Sequence, residues 1–518
     1  MSEYNSDLVK KTFFWIKKNP NKKKLYDADL NLWLTNGQLL EAVDQAVKTF
    51  NKAGLKVGDL LLLALPNSTA YVISYLAAMR TGLAIYSMNP KMPEKQAKNE
   101  FRKRNYKAAI LDDDYQELFN QIVKNPKIKT LSNYGDYSIK LTSWETIKAN
   151  NDVNDFDEIP KHSGIVIYTS GTTGKPKGVL LDHSQMYTAG DNVVQSHKLT
   201  ENDRVYIVLP FYHINAQNIA LMSTLISGGS IVVQKHFSAH KFWPVVENQE
   251  VTWVSAAPAI ILILLNTEIN PNNLQKLRFI RSTSAPLAIA AMDQFEERFK
   301  VPILNSYGMT EAPSQIAVDP MPPLHSPVGS SGKPFNIAIK ISDKKLTKEL
   351  PIGEDGEIWI KGTNTITSYL HNRDQESFVN GWFRTGDVGH LDKDGFIFLA
   401  GRSKEMINKS GDKISPYEVE DIIDKLPFVD SAAVIGYPDK IYGETVAAII
   451  ILKDSTDKKT ALIDFAKQIR KIVSLQEEKF KVPQYIFFMK DIPRGATGKI
   501  QRTALKNKII ENKEIDKY

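Results

Sequence analysis

The chain has 518 residues, 42% of them hydrophobic, 24% charged and 9% aromatic, the balance of an ordinary soluble globular protein with about three or four domain-sized units. It contains no cysteine, which excludes disulfide scaffolds, thiol nucleophiles, thiolate-bound zinc and iron–sulfur clusters together. Lys+Arg 66 against Asp+Glu 59 gives +7, a mild excess at this length, and the basic runs Asn21–Lys24 and Phe101–Lys107 read as solvated surface, so no nucleic-acid partner is expected.

The opening residues, Met1–Lys18, mix Glu3 and Asp7 with a short Phe13–Ile16 patch and lack the apolar core of a signal peptide. The apolar stretches Leu60–Leu65, Tyr71–Met79 and Val254–Leu265 are too short to span a bilayer, so a cytoplasmic protein is expected. Gly37–Ala53 reads as a helix, with Leu39, Leu40, Val43, Ala46, Val47 and Phe50 at helical spacing. Val57–Leu65 reads as a strand entering a turn at Pro66-Asn67, where Asn67 caps an apolar helix over Ala70–Arg80. Short apolar strands recur at Ala84–Tyr86, Ala108–Leu111, Gly164–Tyr168, Val205–Leu209, Ser230–Val233, Thr252–Ser255, Phe279–Thr283 and Ile303–Ser306. Helical stretches lie between most of them, which implies an α/β fold of parallel sheets covered by helices. His236 and His240 stand four apart without a third ligand nearby and read as surface histidines.

From Ala338 the texture changes. Ile339–Ser342, Glu357–Lys361 and Phe396–Leu399 are short strands separated by turns, a small antiparallel β unit over about 338–400. After Ala400-Gly401-Arg402 follows a segment of about a hundred residues, the size of one domain. It holds a helix at Tyr417–Lys425, strands at Ala432–Tyr437 and Ala447–Leu452, a helix at Thr460–Leu475 and a strand at Tyr485–Phe488, an α+β pattern. The chain is cut near 402, into a large lobe over 1–401 and a small domain over 405–518.

The run Tyr168-Thr169-Ser170-Gly171-Thr172-Thr173-Gly174-Lys175-Pro176-Lys177-Gly178-Val179 follows an apolar strand. Its glycines let backbone N–H groups approach an anion, its hydroxyls and ammonium groups add donors, and nothing acidic interrupts them. Polyphosphate is the natural guest. A Walker A loop is excluded, because Gly174-Lys175 is followed by Pro176 and Gly498-Lys499 by Ile500. No Gly-x-Ser-x-Gly elbow and no His-Glu-x-x-His helix occurs.

This run resembles the signature of the adenylate-forming (AMP-binding) superfamily, which includes acyl-CoA ligases, luciferases and peptide-synthetase adenylation domains. Asn305-Ser306-Tyr307-Gly308-Met309-Thr310-Glu311 resembles its second core motif and Trp382-Phe383-Arg384-Thr385-Gly386-Asp387 its third. Gly401-Arg402-Ser403-Lys404-Glu405 and Ser410-Gly411-Asp412-Lys413-Ile414-Ser415-Pro416 resemble its hinge and following loop, and Pro493-Arg494-Gly495-Ala496-Thr497-Gly498-Lys499-Ile500 its C-terminal lysine loop. The five segments stand in the family's order between Tyr168 and Arg502.

The resemblance implies an AMP-forming acyl-CoA synthetase using ATP, Mg²⁺ and coenzyme A. Thr169, Ser170, Gly171, Thr172, Thr173, Gly174 and Lys177 would hold the β- and γ-phosphates. Thr310 would bind the α-phosphate and Glu311 the Mg²⁺, for which one carboxylate beside phosphate oxygens suffices. Asp387 would accept from the ribose hydroxyls, and Arg402 would reach ribose or phosphate. Ser284-Ala285-Pro286 and Asn305, Ser306, Tyr307 and Gly308 would clasp the adenine. Lys413 falls in the nucleotide-binding set. Lys499 would bridge the attacking carboxylate and the α-phosphate. The small domain would be mobile, turning over a hinge at 402–404 centred on Lys404, so that Lys499 leaves and Ser410-Gly411 line the approach of the thiol.

By the same resemblance the acyl pocket takes in His213, a gate residue, with Asn215, Ser282 and Ser314, and also Phe211, Tyr212, Gln217, Arg281 and Gln315. This lining is polar for a fatty-acyl tunnel and implies a small or polar acid. Pro210–Gln217 with Phe242-Trp243 resembles crotonobetaine/carnitine-CoA ligases. The same stretch with Arg281-Ser282-Thr283-Ser284-Ala285 resembles oxalyl-CoA synthetases, from which the chain departs at Pro313-Ser314, where those enzymes carry a basic side chain. An aromatic acid, as in o-succinylbenzoate ligases, stays open. No carrier motif follows Tyr518, so a peptide synthetase is not expected, while a free-standing enzyme loading a carrier protein remains the alternative. A monomer or homodimer is expected. A non-catalytic regulator on this fold would lack Glu311 or Lys499, and both are present.

Overall fold

The structure, a computed structural model, describes residues 4–144, 146–147, 162–169, 177–269, 271–285, 287–343, 348–410, 412–453, 462–495, 499–511 and 517–518. A nine-stranded sheet has five parallel strands at its centre: Ser230–Val233, Arg204–Ile207, Trp253–Ala256, Phe279–Ser282 and Ile303–Met309, side by side in that order. A seven-stranded sheet has Leu60–Ala64 at its middle, with Ala84–Ser87 and Ala108–Leu111 parallel on either side. One contiguous apolar core joins the two sheets through their helices. Helix Thr69–Thr81 lies in that core and is buried on nearly every face, which its run of apolar and small residues permits.

The sequence reading was off in instructive places. The helix at 69–81 is capped by Ser68, whose side chain accepts from the Tyr71 N–H, not by Asn67. Asn67 spans two sheets instead: it donates to the Leu209 carbonyl at 2.9 Å and accepts from the Phe211 N–H at 2.8 Å. The strand expected from Val57 starts at Leu60, because Gly58 turns the chain with φ +80°. The basic runs are not all solvated. Lys24 lies in strand Lys23–Asp27 at 1% exposure, donates to the Gly229 carbonyl, and burial lowers its pKa to about 7. Arg104 is buried too, its guanidinium 4.5 Å from the Tyr86 ring centroid and 3.9 Å from that of Tyr168, with Glu100 as its ion-pair partner.

The β unit after Ala338 is a five-stranded antiparallel sheet. Its longest strand, Trp382–Leu391, was read from sequence only as a motif. The last sheet draws on Ile407–Lys409, Asp412–Ile414, Val429–Asp439, Gly443–Leu452 and Tyr485–Phe488. Side chains alternate across it. Ala432, Val434, Ala448 and Ile450 pack beside Ala466, Ile469 and Val473 of helix Leu462–Gln476, whereas Ala433, Ile435, Ala447 and Ile449 pack beside Leu505 and Ile509 of helix Arg502–Glu511. No described helix is long and apolar enough to cross a membrane.

Candidate active site

The glycine-rich run connects two strands that turn back on one another. Gly164–Thr169 pairs antiparallel with Lys177–Asp182, and the register closes with Thr169 opposite Lys177. Thr169 and Lys177 therefore form the neck of a hairpin, while Ser170, Gly171, Thr172, Thr173 and Gly174 lie outside the described residues. At its foot Gly164 has φ +149°, and a Cβ there would stand 2.0 Å from the Leu181 carbonyl oxygen. Only glycine lets the strands approach this closely.

From the neck, Lys177 leads to the second motif. Its Nζ pairs with Asp374 and lies 4.9 Å from the Tyr369 ring centroid. Tyr369 donates its hydroxyl to Glu311 Oε1 at 2.8 Å. Glu311 is 7% exposed, and burial raises its pKa against the Tyr369 hydrogen bond and the charges of Arg402 and Lys177. Thr310 shares with Glu311 the tight turn between strands Ile303–Met309 and Ala312–Val318. Asn305, Ser306, Tyr307 and Gly308 run up to that turn. The Asn305 N–H donates to Asp319 Oδ2 at 2.7 Å and the Ser306 hydroxyl to the Ser282 carbonyl at 3.1 Å, which fixes the segment against its neighbouring strand. Ser284, with φ +79°, and Ala285 follow that neighbour, and Pro286 lies outside the described residues.

Asp387 and Arg402 face each other as register partners on strands Trp382–Leu391 and Ile397–Arg402. Arg402 Nε stands 2.7 Å from Asp387 Oδ1, and the Tyr307 hydroxyl donates to Asp387 Oδ2 at 2.6 Å. The Asp387 charge raises the Arg402 pKa, and burial with the same carboxylate raises that of Tyr307, so both stay donors. Each Asp387 oxygen keeps a further lone pair for a ligand hydroxyl.

Lys499 comes to this pair from the last segment of the chain. It is half-buried. Burial lowers its pKa, Arg402 adds to that, and Glu405 and Asp387 pull the other way. Its carbonyl accepts from the Gly495 N–H at 2.7 Å, closing a short loop. Helix Pro416–Ile423 is tied to helix Arg502–Glu511 by Arg502, which reaches both Glu420 oxygens at 2.6 Å and stands 3.6 Å from Glu405. Lys177, Glu311, Asp387, Arg402 and Lys499 thus share one electrostatic neighbourhood, with Thr310 in the same turn as Glu311. Other expected residues stand apart from it. Lys404 is exposed and its charge acts on Asp374. Ser410, with φ +53°, donates its N–H to the Tyr442 carbonyl in the turns beside the last sheet. Gly411 and the Lys413 side chain lie outside the described residues.

The acyl-pocket residues converge on a buried polar patch. Asn215–Met222 is π-helical and wholly buried, a wide coil of the kind found at functional sites. Asn215 accepts from the Ser255 hydroxyl at 2.9 Å, while its Nδ2 and both amide atoms of Gln217 have no partner. The hydroxyls of Ser282 and Ser314 and the Nε2 of His213 are buried without partners as well. Burial lowers the His213 pKa to about 4, so its ring is neutral at physiological pH. His236 precedes helix Ala239–Asn248 and His240 lies in its first turn, both exposed. Sequence reading did not single out Tyr369 and Asp374, which stand in an irregular segment with no periodicity to mark them.

Residues 13–370 match the AMP-binding enzyme family, and residues 418–499 match the AMP-binding enzyme C-terminal domain. A probable CoA ligase of Humulus lupulus is 33% identical over 90% of this chain and 90% of its own length. An oxalate–CoA ligase of Arabidopsis thaliana is 31% identical, covering 92% of this chain and 94% of that protein. Among solved structures, the o-succinylbenzoate coenzyme A synthetase of Bacillus subtilis in complex with AMP superposes with a TM-score of 0.77 and 25% identity, over 96% of this chain and 98% of that one.

Proposed function

The chain belongs to the AMP-binding enzyme family as an ATP-dependent, AMP-forming acid–CoA ligase, and we propose that it activates a short, polar carboxylic acid through the residues gathered around Asp387. The observation that carries this reading is the shared neighbourhood of Lys177, Glu311, Asp387, Arg402 and Lys499. Carboxylate and triphosphate are both anions, so the first step needs cations on the phosphates and an in-line approach. Lys177 and the hairpin it closes hold the β- and γ-phosphates. Asp387 takes the ribose hydroxyls. Lys499 bridges the acid and the α-phosphate, neutralising charge as the acid oxygen bonds to phosphorus and pyrophosphate leaves.

Glu311 fits Mg²⁺: it is a buried hard oxygen donor whose charge burial disfavours, and a divalent cation restores that charge. When bound, the metal would supply charge neutralisation at the phosphates. In the second step the CoA sulfur attacks the acyl carbon and AMP departs. The Ser410-Gly411 face replaces Lys499 for this step, turning about the 402–404 connection.

The acid is short and polar because the wall around Asn215, Gln217, Ser282 and Ser314 is buried and hydrogen-bonding, where a fatty chain would leave those groups unpaired at a cost of about 1–3 kcal/mol each. The oxalate specificity of the Arabidopsis relative is in keeping with this.

The test is Lys499→Ala. Acid-dependent ATP–pyrophosphate exchange should fall by about 100-fold or more, while supplied acyl-AMP is still converted to thioester. Equal loss of both steps would remove Lys499 from the adenylation role.

A further inference from the structure

Arg281 is the one wholly buried arginine among the described residues, at 0% exposure, and it makes no ion pair. It lies in strand Phe279–Ser282 near the middle of the nine-stranded sheet. Its Nε donates to the Ser306 hydroxyl at 2.9 Å and one terminal nitrogen to the Ser314 carbonyl at 2.5 Å. The other terminal nitrogen has no partner. Burial lowers its pKa to about 9, which leaves the guanidinium charged at neutral pH. A buried cation without a counter-charge costs several kcal/mol. Neither contact offsets that, since a hydroxyl and a carbonyl are neutral.

The groups around Arg281 are polar but neutral, and none of them supplies a counter-charge. Ser255 is its register partner on the adjacent strand, so the two side chains leave the same face of the sheet. Ser255 gives its hydroxyl hydrogen to Asn215 Oδ1, and the Asn215 Nδ2 donor has no partner among the described residues. The Ser314 hydroxyl is unpartnered beside the carbonyl that Arg281 holds. His197 cannot supply a charge: burial first, and then the Arg281 cation, hold its pKa well below the ordinary range. A two-oxygen anion is acceptor-only, matches the guanidinium fork and supplies the missing charge.

This patch adjoins the reaction centre. Ser306, which Arg281 holds, is followed by Tyr307 on Asp387, and Ser314 follows Glu311 by three residues. Resting on the ligase reading above, we propose that Arg281 determines specificity by receiving a second anionic group of the substrate, so that the acid is a short dianion such as a dicarboxylate or a sulfo-carboxylate. A basic group does reach Ser314, from strand Phe279–Ser282, two places away in the sheet.

The experiment is ATP–pyrophosphate exchange by the full chain with matched pairs of acids, two to four carbons long, carrying either one or two carboxylates. The wild type should favour the diacid in kcat/KM by about 100-fold, as a site built to pair a buried charge discriminates. Arg281→Gln should collapse that ratio through the KM for the diacid, with the KM for ATP holding. Arg281→Lys, which keeps a cation, should retain part of the ratio. Thermal stabilisation by diacid together with AMP should also disappear in Arg281→Gln. A wild type that prefers the monoacid overturns the assignment, as does an Arg281→Gln variant that lowers both acids equally. If the wild type exchanges with neither class, the ligase reading fails and takes this assignment with it.

Discussion

Lys499 is held against its solution preference. Burial and the Arg402 guanidinium lower its pKa, so the cation that the proposed adenylation step uses is lost at lower pH than for a free lysine. The sign follows directly: a base whose pKa is depressed is charged only below that depressed value, and activity that needs the charge falls as pH rises through it. The alkaline limb of kcat/KM for ATP, which reads the free enzyme, should therefore lie below the ordinary lysine value of 10.5. Lys499→Arg should move that limb upward, because a guanidinium keeps its proton. A limb unmoved by the substitution would assign the titration to another group. The five motifs made Lys499, Glu311 and Asp387 legible from sequence, since each belongs to a dense local pattern. Tyr369 was not legible, because its role exists only through the distant Glu311 carboxylate it touches.

At the scale of elements, a buried ion pair ties two helices of the small domain, beside its two apolar clusters. Arg502 reaches both oxygens of Glu420, whose pKa burial nonetheless raises to about 7. Arg502→Met would strand Glu420 and should cost about 3–5 kcal/mol, read as a lower denaturant midpoint. The loss should grow from pH 5 to pH 8: an acid with a raised folded pKa is neutral below it, and the stranded charge costs stability only above it. Adding Glu420→Gln should recover most of the loss, and a double variant no more stable than the single one would show that packing, not charge, was removed. The strands here were legible from alternation and β-branched runs, and their register was not. Asn67 illustrates the limit. A polar residue before an apolar helix is a sound cap by local rules, yet Ser68 takes the cap and Asn67 bonds to Leu209 and Phe211, in the segment that follows strand Arg204–Ile207 of the other sheet.

At the scale of the molecule, Lys499 by Asp387 and Arg402 is the arrangement that the proposed adenylation step requires, while Ser410 is bonded to Tyr442 in the turns beside the last sheet. In the proposed mechanism thioester formation uses the other face of the same domain. Gly411→Leu should spare pyrophosphate exchange to within about threefold and reduce thioester formation by at least about 100-fold, a split measured by running both half-reactions on one preparation. Equal loss of the two would tie Gly411 to adenylation instead.

Strand–helix alternation determined by itself the α/β class, and the resemblance of five ordered motifs pointed to the adenylate-forming family, because glycine turns and phosphate-binding donors are written in contiguous residues. Tertiary structure alone decided how the acyl wall is charged. Arg281, Ser255, Asn215 and Ser314 come from four separate elements, and a guanidinium's need for an anion appears only when packing has buried it with no carboxylate partner among the described residues.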